Sequence, residues 1–297
     1  MKKHAYLFTV NSNFTVLNTC LRLLDEVTND IYILFDKKTF STLEQARMHL
    51  AELHHASYKY LNLFMINWGG YSQVQAEMEL IKQAVNSKVP YSYLHFLQNS
   101  DLPIKRHEQL ILFFEVHEGK EFVHVDKKNS SWANTCCRYY YFFCHNRYYR
   151  SSKFLKLLNI GIARLQQCLN VGLNKHVDFW YGSALFSITL PFAQYVVSKE
   201  AEIQHRFRWA LAPDEKFLQT LLMNSPFSKN LVGDALASTN AMLIDWERDR
   251  QKNSPHVWRK EELSHLLSMS EHYCYARKFV ETVDLEIVEL LEAHLKS

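Results

Sequence analysis

A chain of 297 residues with 47% hydrophobic and 22% charged side chains is long enough to bury a real core and has the composition of an ordinary folded domain. A net charge of +3 is too small to mark a nucleic-acid binder, and six cysteines without regular spacing or a C-x-x-C pair give neither a disulfide framework nor a zinc site. No apolar run is long enough to cross a bilayer, and the opening stretch AYLFTV is too short, and too soon followed by Asn11 and Asn13, for a secretion signal. The expectation is a protein of a reducing, cytoplasmic compartment.

The first hundred residues alternate strand and helix patterns. AYLFTV (5–10) is continuously apolar, as in a strand buried on both faces, and FTVLNTCLRLLDEV (14–27) then spaces its apolar residues for a helix. DIYILFD (30–36) reads as a strand, LEQARMHLAELHH (43–55) as a helix, YLNLFMI (60–66) as a strand and SQVQAEMELIKQAVNS (72–87) as a helix. YSYLHFL (91–97) and EFVHV (121–125) add strands. This alternation predicts βαβ units and an α/β fold with a mostly parallel central sheet flanked by helices. Ligands of such sheets bind at the carboxyl ends of the strands. There the sequence places Asn11–Ser12–Asn13, Asp36–Lys37–Lys38, Asn67–Trp68–Gly69–Gly70 and Gln98–Asn99–Ser100–Asp101.

Residues 132–168 change texture, mixing Tyr and Phe with Arg138, Arg147, Arg150, Lys153 and Lys156. FWYGSALFSITL (179–190) returns to strand character and LPFAQYVVSKEAEI (190–203) to helix. In RWALAPDEKFLQTLLMNSPF (208–227) the spacing of Phe217, Leu218, Leu221 and Leu222 predicts a helix over 216–223. Pro213, Asp214 and Glu215 stand at its start, where they serve as punctuation of a helix N-terminus. A carboxylate there can also perform chemistry, which other parts of the chain must decide. No repeat or low-complexity linker divides the chain, so one continuous domain is expected, 1–297.

Absent motifs narrow the function. Seven glycines form neither G-x-G-x-x-G nor a P-loop, and neither H-E-x-x-H nor G-x-S-x-G occurs. A parallel sheet without a glycine phosphate cradle disfavours dinucleotide enzymes and P-loop ATPases and is compatible with nucleotide-sugar enzymes. Many of those hold a divalent metal with Asp-x-Asp, which this chain lacks; Glu247–Arg248–Asp249 is the nearest approach and reads as a solvated turn.

Taken together, AYLFTVNSN, IYILFDKK, INWGGYSQVQAE, FLQNSDLPIK, WYGSALFSIT, APDEKFLQTLLMNSPF and YARKF resemble one family, in order and with compatible spacing across nearly the whole chain. It is that of the core-2/I-branching β-1,6-N-acetylglucosaminyltransferases and the related peptide O-xylosyltransferases. The chain looks like a compact, bacterial-type member without the animal enzymes' anchor, stem or disulfide cysteines.

The resemblance implies a GT-A (Rossmann-like) fold, with a nucleotide-binding half about 1–130 and an acceptor and catalytic half about 131–297. It implies a UDP-sugar donor, inversion at the anomeric carbon, no cofactor and no metal. The family's Ser-Pro-Asp-Glu motif falls on Ala212–Glu215, which makes Glu215 the catalytic base. Its phosphate-binding lysine falls on Lys278, beside Arg277, and a second cation on Arg259. Val10, Asn11, Ser12, Asp36, Lys38 and Trp68 are implied to hold the nucleotide. Trp246, Arg138, Gly182 and Ser183 are implied to form the acceptor side.

The donor sugar is N-acetylglucosamine by this resemblance, with galactose, glucose or xylose as alternatives, and the acceptor is an oligosaccharide or lipid-linked glycan. A non-catalytic carbohydrate-binding or scaffold module on the same fold is the alternative function. The interleaved basic and aromatic residues of 138–157 read either as aromatic packing or as a peripheral contact with the inner face of a cell membrane. No nucleic-acid partner is expected.

Overall fold

The computed structural model describes residues 2–233, 239–248 and 254–297; Asp249 lies outside them. The first part of the chain runs β1 (Lys3–Val10), α1 (Phe14–Leu23), β2 (Asn29–Phe35), a short α2 (Leu43–Arg47), β3 (Ser57–Leu61), α3 (Ser72–Asn86), β4 (Tyr91–Gln98), β5 (Asp101–Pro103), α4 (His107–Val116) and β6 (Phe122–Val123). The second runs α5 (Ser130–Arg138), α6 (Lys153–Cys168), β7 (Phe186–Thr189), α7 (Leu190–Ser198), α8 (Glu200–Phe207), α9 (Phe217–Met223), β8 (Met242–Ile244), α10 (Leu263–Ser268), β9 (Tyr275–Arg277) and α11 (Glu286–Lys296).

The continuous apolar runs become the centre of a six-stranded sheet ordered β3-β2-β1-β4-β7-β6. Its first four strands are parallel, with Tyr6 opposite Ile31 on one side and His95 on the other. β7 and β6 close the far edge antiparallel. Every residue of β2 is buried, as expected of a strand covered on both faces. A second sheet, β5-β9-β8, stands beside the carboxyl ends of β1 and β4. The two halves of the chain interleave, since β7 joins the main sheet and residues 277–282 share a cleft wall with residues 9–13.

Several expected elements are shorter. The 43–55 helix ends after Arg47 because side chains of α1 and its exit loop take over the backbone groups. Asn18 donates to His49 O and accepts from Ala51 N, and Asp25 accepts from the amides of His54, His55 and Ala56. The 60–66 strand stops at Leu61, after which Asp36 accepts from Ile66 N (3.1 Å). The 121–125 strand shrinks to two residues. In 179–190 only the last residues form β7, because Phe179, Trp180 and Gly182 donate to Asn134, Thr220 and Glu215 rather than to a strand. The 190–203 helix is broken at Lys199.

Candidate active site

Over the carboxyl ends of the parallel strands lies a cleft of two lobes that share Trp68, Gln73, Gln98, Arg150 and Arg277. One lobe, about 550 Å³, is walled by residues 9–13, Asp36, Lys38 and the segment 277–282. The other, about 730 Å³, contains Glu215, Asp214, His124, Gly182, Ser183 and Trp246. The sequence-derived nucleotide residues Val10, Asn11, Ser12, Asp36, Lys38, Trp68, Arg277 and Lys278 thus converge on the first lobe. Glu215, Gly182, Ser183 and Trp246 converge on the second.

Glu215 sits in a single 3-10 turn, Pro213–Glu215, that is separate from α9 because Lys216 adopts φ −142°. The carboxylate is therefore not on the first turn of that helix, and the punctuation reading does not describe it. Tertiary bonds hold the turn instead. Gly182 N donates to Glu215 O (2.9 Å), and Ala212 N donates to Gly69 O (2.9 Å). Gly182 has no alternative residue here, since a Cβ would collide with the His124 carbonyl oxygen. Gln73, one residue into α3, accepts from Gly69 N and donates to Asp214 Oδ2 (2.7 Å), tying the Asn67–Gly70 loop to the acidic turn.

The electrostatics are unusual for carboxyls. Glu77 and Asp214 are buried, each with an oxygen that has no hydrogen-bond partner among the described residues. Burial, and then the nearby Asp214 charge, push the Glu215 carboxyl up to about 7. Glu77 is held well above the ordinary range by burial and by both neighbours. The opposing charge is Lys216, fully buried, which donates to Ala212 O (2.9 Å) and lies 4.0 Å from the Trp132 ring centroid.

In the other lobe the cations crowd. Burial, then Arg277 and Arg150, lower the Lys278 ammonium from its usual value. Arg277 is committed to structure, donating to the buried Asp101 (2.8 Å) and to Gln98 (2.7 Å). Lys278 and Arg150 make no ion pair with a carboxylate among the described residues, so their charge is open to a ligand. Arg150 lies 5.9 Å from the Trp68 ring centroid. Asp36, by contrast, spends one oxygen on the amides of Lys38 and Ile66 and pairs the other with Lys38 Nζ (3.3 Å). Asn13, at φ 57°, donates to Asn99 O and Phe279 O and accepts from Glu281 N, closing the end of this lobe.

Two of the residues implied by the resemblance, Arg259 and Arg138, do not join the cleft. Arg259 lines neither lobe; Trp258 turns inward, donating through Nε1 to Arg277 O (3.0 Å), which leaves its neighbour Arg259 facing solvent. Arg138 closes α5 and donates to Val177 O (3.2 Å), away from the cleft. Arg150, Gln73 and Gln98 are the residues that sequence reasoning did not assign. Gln98 stood in a strand-end polar cluster, and Arg150 in a basic aromatic stretch read for packing or for membrane contact. That stretch divides in space. Tyr141, Cys144 and Tyr149 pack with Ala163 in a small core, while Arg147 and Arg150 face the cleft. Among the described residues no group of three or more His, Cys, Asp or Glu is placed to hold a metal ion.

A mostly parallel sheet with a polar, two-lobed cleft over its carboxyl ends defines a Rossmann-like ligand-binding domain. The chain belongs to the Core-2/I-Branching enzyme family, whose model matches residues 4–270. It is 24% identical to xylosyltransferase 2 of Rattus norvegicus over 98% of this chain and 33% of the relative, and so spans about a third of that protein's length. It is 23% identical to a β-1,3-galactosyl-O-glycosyl-glycoprotein β-1,6-N-acetylglucosaminyltransferase of Bos taurus over 98% of this chain and 69% of the relative. The crystal structure of mouse xyloside xylosyltransferase 1 in its apo form overlaps 76% of this chain and 82% of its own, at 11% identity and a TM-score of 0.35.

Proposed function

We propose that the protein is an inverting glycosyltransferase that moves a sugar from a UDP-sugar to a hydroxyl of a glycan acceptor without a divalent metal. The observation that carries this reading is the seam between the lobes: a carboxyl in an acidic, buried turn on one side and two uncommitted cations, Lys278 and Arg150, on the other.

The acceptor hydroxyl loses its proton to Glu215 as its oxygen attacks the anomeric carbon. The bond from that carbon to the diphosphate oxygen breaks on the opposite face, and the electron pair leaves with UDP. A carboxyl held near neutrality is matched to this base role, worth about 10²–10⁴-fold. Charge developing on the diphosphate falls to Lys278, which is partly desolvated, and to Arg150, which lines both lobes. Trp246, 53% exposed in the Glu215 lobe, offers a flat apolar face to a pyranose. The relatives' names, a xylosyltransferase and an N-acetylglucosaminyltransferase, make UDP-N-acetylglucosamine and UDP-xylose the first donors to try.

The test is UDP release across UDP-N-acetylglucosamine, UDP-xylose, UDP-galactose and UDP-glucose, with and without EDTA. Turnover should survive EDTA. Glu215→Gln should lower it by about 10²–10⁴-fold while UDP still binds. Loss on chelation with recovery on manganese overturns the metal-free mechanism. Saccharide binding without turnover of any donor assigns the fold to a carbohydrate-binding module instead.

A further inference from the structure

Helix α6 is turned inside out. Phe154, Leu157 and Leu165, with Leu169 just beyond the helix, are 68%, 66%, 58% and 65% exposed. The residues it buries are Asn159, Ala163 and Gln166. Those buried amides serve the neighbouring loop. Asn159 accepts from Phe143 N (3.2 Å), and Gln166 accepts from Tyr140 N (2.9 Å) and donates to its carbonyl (3.1 Å). A helix whose only partner is its own domain packs its apolar stripe inward. Here that stripe faces out, and an apolar surface of this kind marks a contact with something else.

Charge identifies the partner. Between positions 127 and 177 the sequence has nine Lys and Arg and no Asp or Glu, while the remaining 25 cations are outnumbered by all 31 acids. Lys153 and Arg164 are exposed along one flank of the stripe. A second copy on this face would set those like charges against each other. Anionic lipid complements both features, taking the apolar side chains at the acyl boundary and the long cations at the headgroups. We propose that the outward face of α6 docks the protein on a membrane surface bearing anionic lipid. The cleft adjoins this face, since Arg150 lines both lobes just before α6 and Lys156 of its first turn lies 5.9 Å from the Trp68 ring centroid. Docking would set the cleft at the lipid surface. The inference goes beyond the transfer reaction and stands independently of it.

The experiment is flotation of the full chain with vesicles of phosphatidylcholine alone and of phosphatidylcholine mixed with phosphatidylglycerol. Binding is expected to the mixed vesicles only, and it should weaken as salt rises. Leu157→Glu with Leu165→Glu should lower the bound fraction at least about tenfold, and Lys153→Glu with Arg164→Glu should also lower it. These positions are exposed, so circular dichroism melts should match the parent.

Cys168 is the exposed thiol and the other five are buried, so a polarity-sensitive dye reacts there and should shift to the blue on binding. Absence of flotation at low salt, flotation indifferent to the Leu→Glu pair, or an unshifted dye overturns the proposal. So does a dimer in sedimentation velocity that the Leu→Glu pair dissolves, because the face would then belong to a second copy. UDP release with a soluble acceptor should be unchanged in the Leu→Glu pair, which separates failure of docking from failure of the transferase reading.

Discussion

Glu215 is one of three neighbouring carboxyls, with Glu77 and Asp214, and the buried Lys216 acts on Asp214 and Glu215. Burial and neighbouring negative charge both favour the protonated form, and the Lys216 charge opposes them. A base with its carboxyl raised to about 7 is inactive when protonated. The kcat/KM profile should therefore fall about tenfold per pH unit below that value and level off above it. Lys216→Met removes the counter-charge, so the acidic limb should move to higher pH. A Lys216→Met profile that loses amplitude without moving would give Lys216 a packing role alone. None of this balance is written in the Ala-Pro-Asp-Glu stretch itself, because Glu77 lies far away on α3 and Trp132, the ring beneath the lysine, on α5. That Glu215 lines the cleft agrees with the place the sequence motif suggested for it; its electrostatic environment is a product of the fold.

At the scale of elements, the strands that read correctly are those buried on both faces, where a continuous apolar run leaves one solution. β1, β2 and β4 follow that rule, while helices α1 and α3 were legible from apolar residues at helical spacing that bury one face. The segments that misled are apolar but have their backbone groups captured by side chains from elsewhere, as Asn18 and Asp25 do after α2. The Pro213–Glu215 turn is the extreme case, being held by Gly69, Gln73 and Gly182 from two distant segments. Gly182→Ala places a methyl group against the His124 carbonyl and should cost about 1–3 kcal/mol in chemical denaturation, with loss of turnover. Ala212 lies at φ 46°, a left-handed conformation that costs an L-residue ~1–2 kcal/mol. Glycine relieves that cost and is offset in part by its own chain entropy, so Ala212→Gly should hold stability or raise it by up to ~1 kcal/mol.

Across the whole molecule the cleft exists because two sheets meet at one edge, and Arg277 joins them. It belongs to β9 of the small sheet and donates to Asp101 of β5 and to Gln98 at the end of β4. Its neighbour Lys278 points its charge at the ligand space with no carboxylate partner among the described residues. Two adjacent cations of the YARKF stretch, alike in sequence, therefore divide into one that is tied into the fold and one whose charge is left facing the cleft. Arg277→Met strands the buried Asp101 and should cost about 3–5 kcal/mol at pH 8 in urea denaturation. The unpaired carboxyl holds its proton more tightly folded than unfolded, so it contributes stability at low pH that is lost as pH rises. The deficit should accordingly shrink when the same titration is run at acid pH. Lys278→Met removes a half-buried charge that makes no ion pair among the described residues, and should leave stability within about 0.5 kcal/mol of the parent. Its turnover should nevertheless fall by about 10²–10³-fold, the scale of losing one positioned charge against a leaving group. A destabilised Lys278→Met protein with intact turnover would reverse the two assignments and leave Arg150 alone to receive the diphosphate.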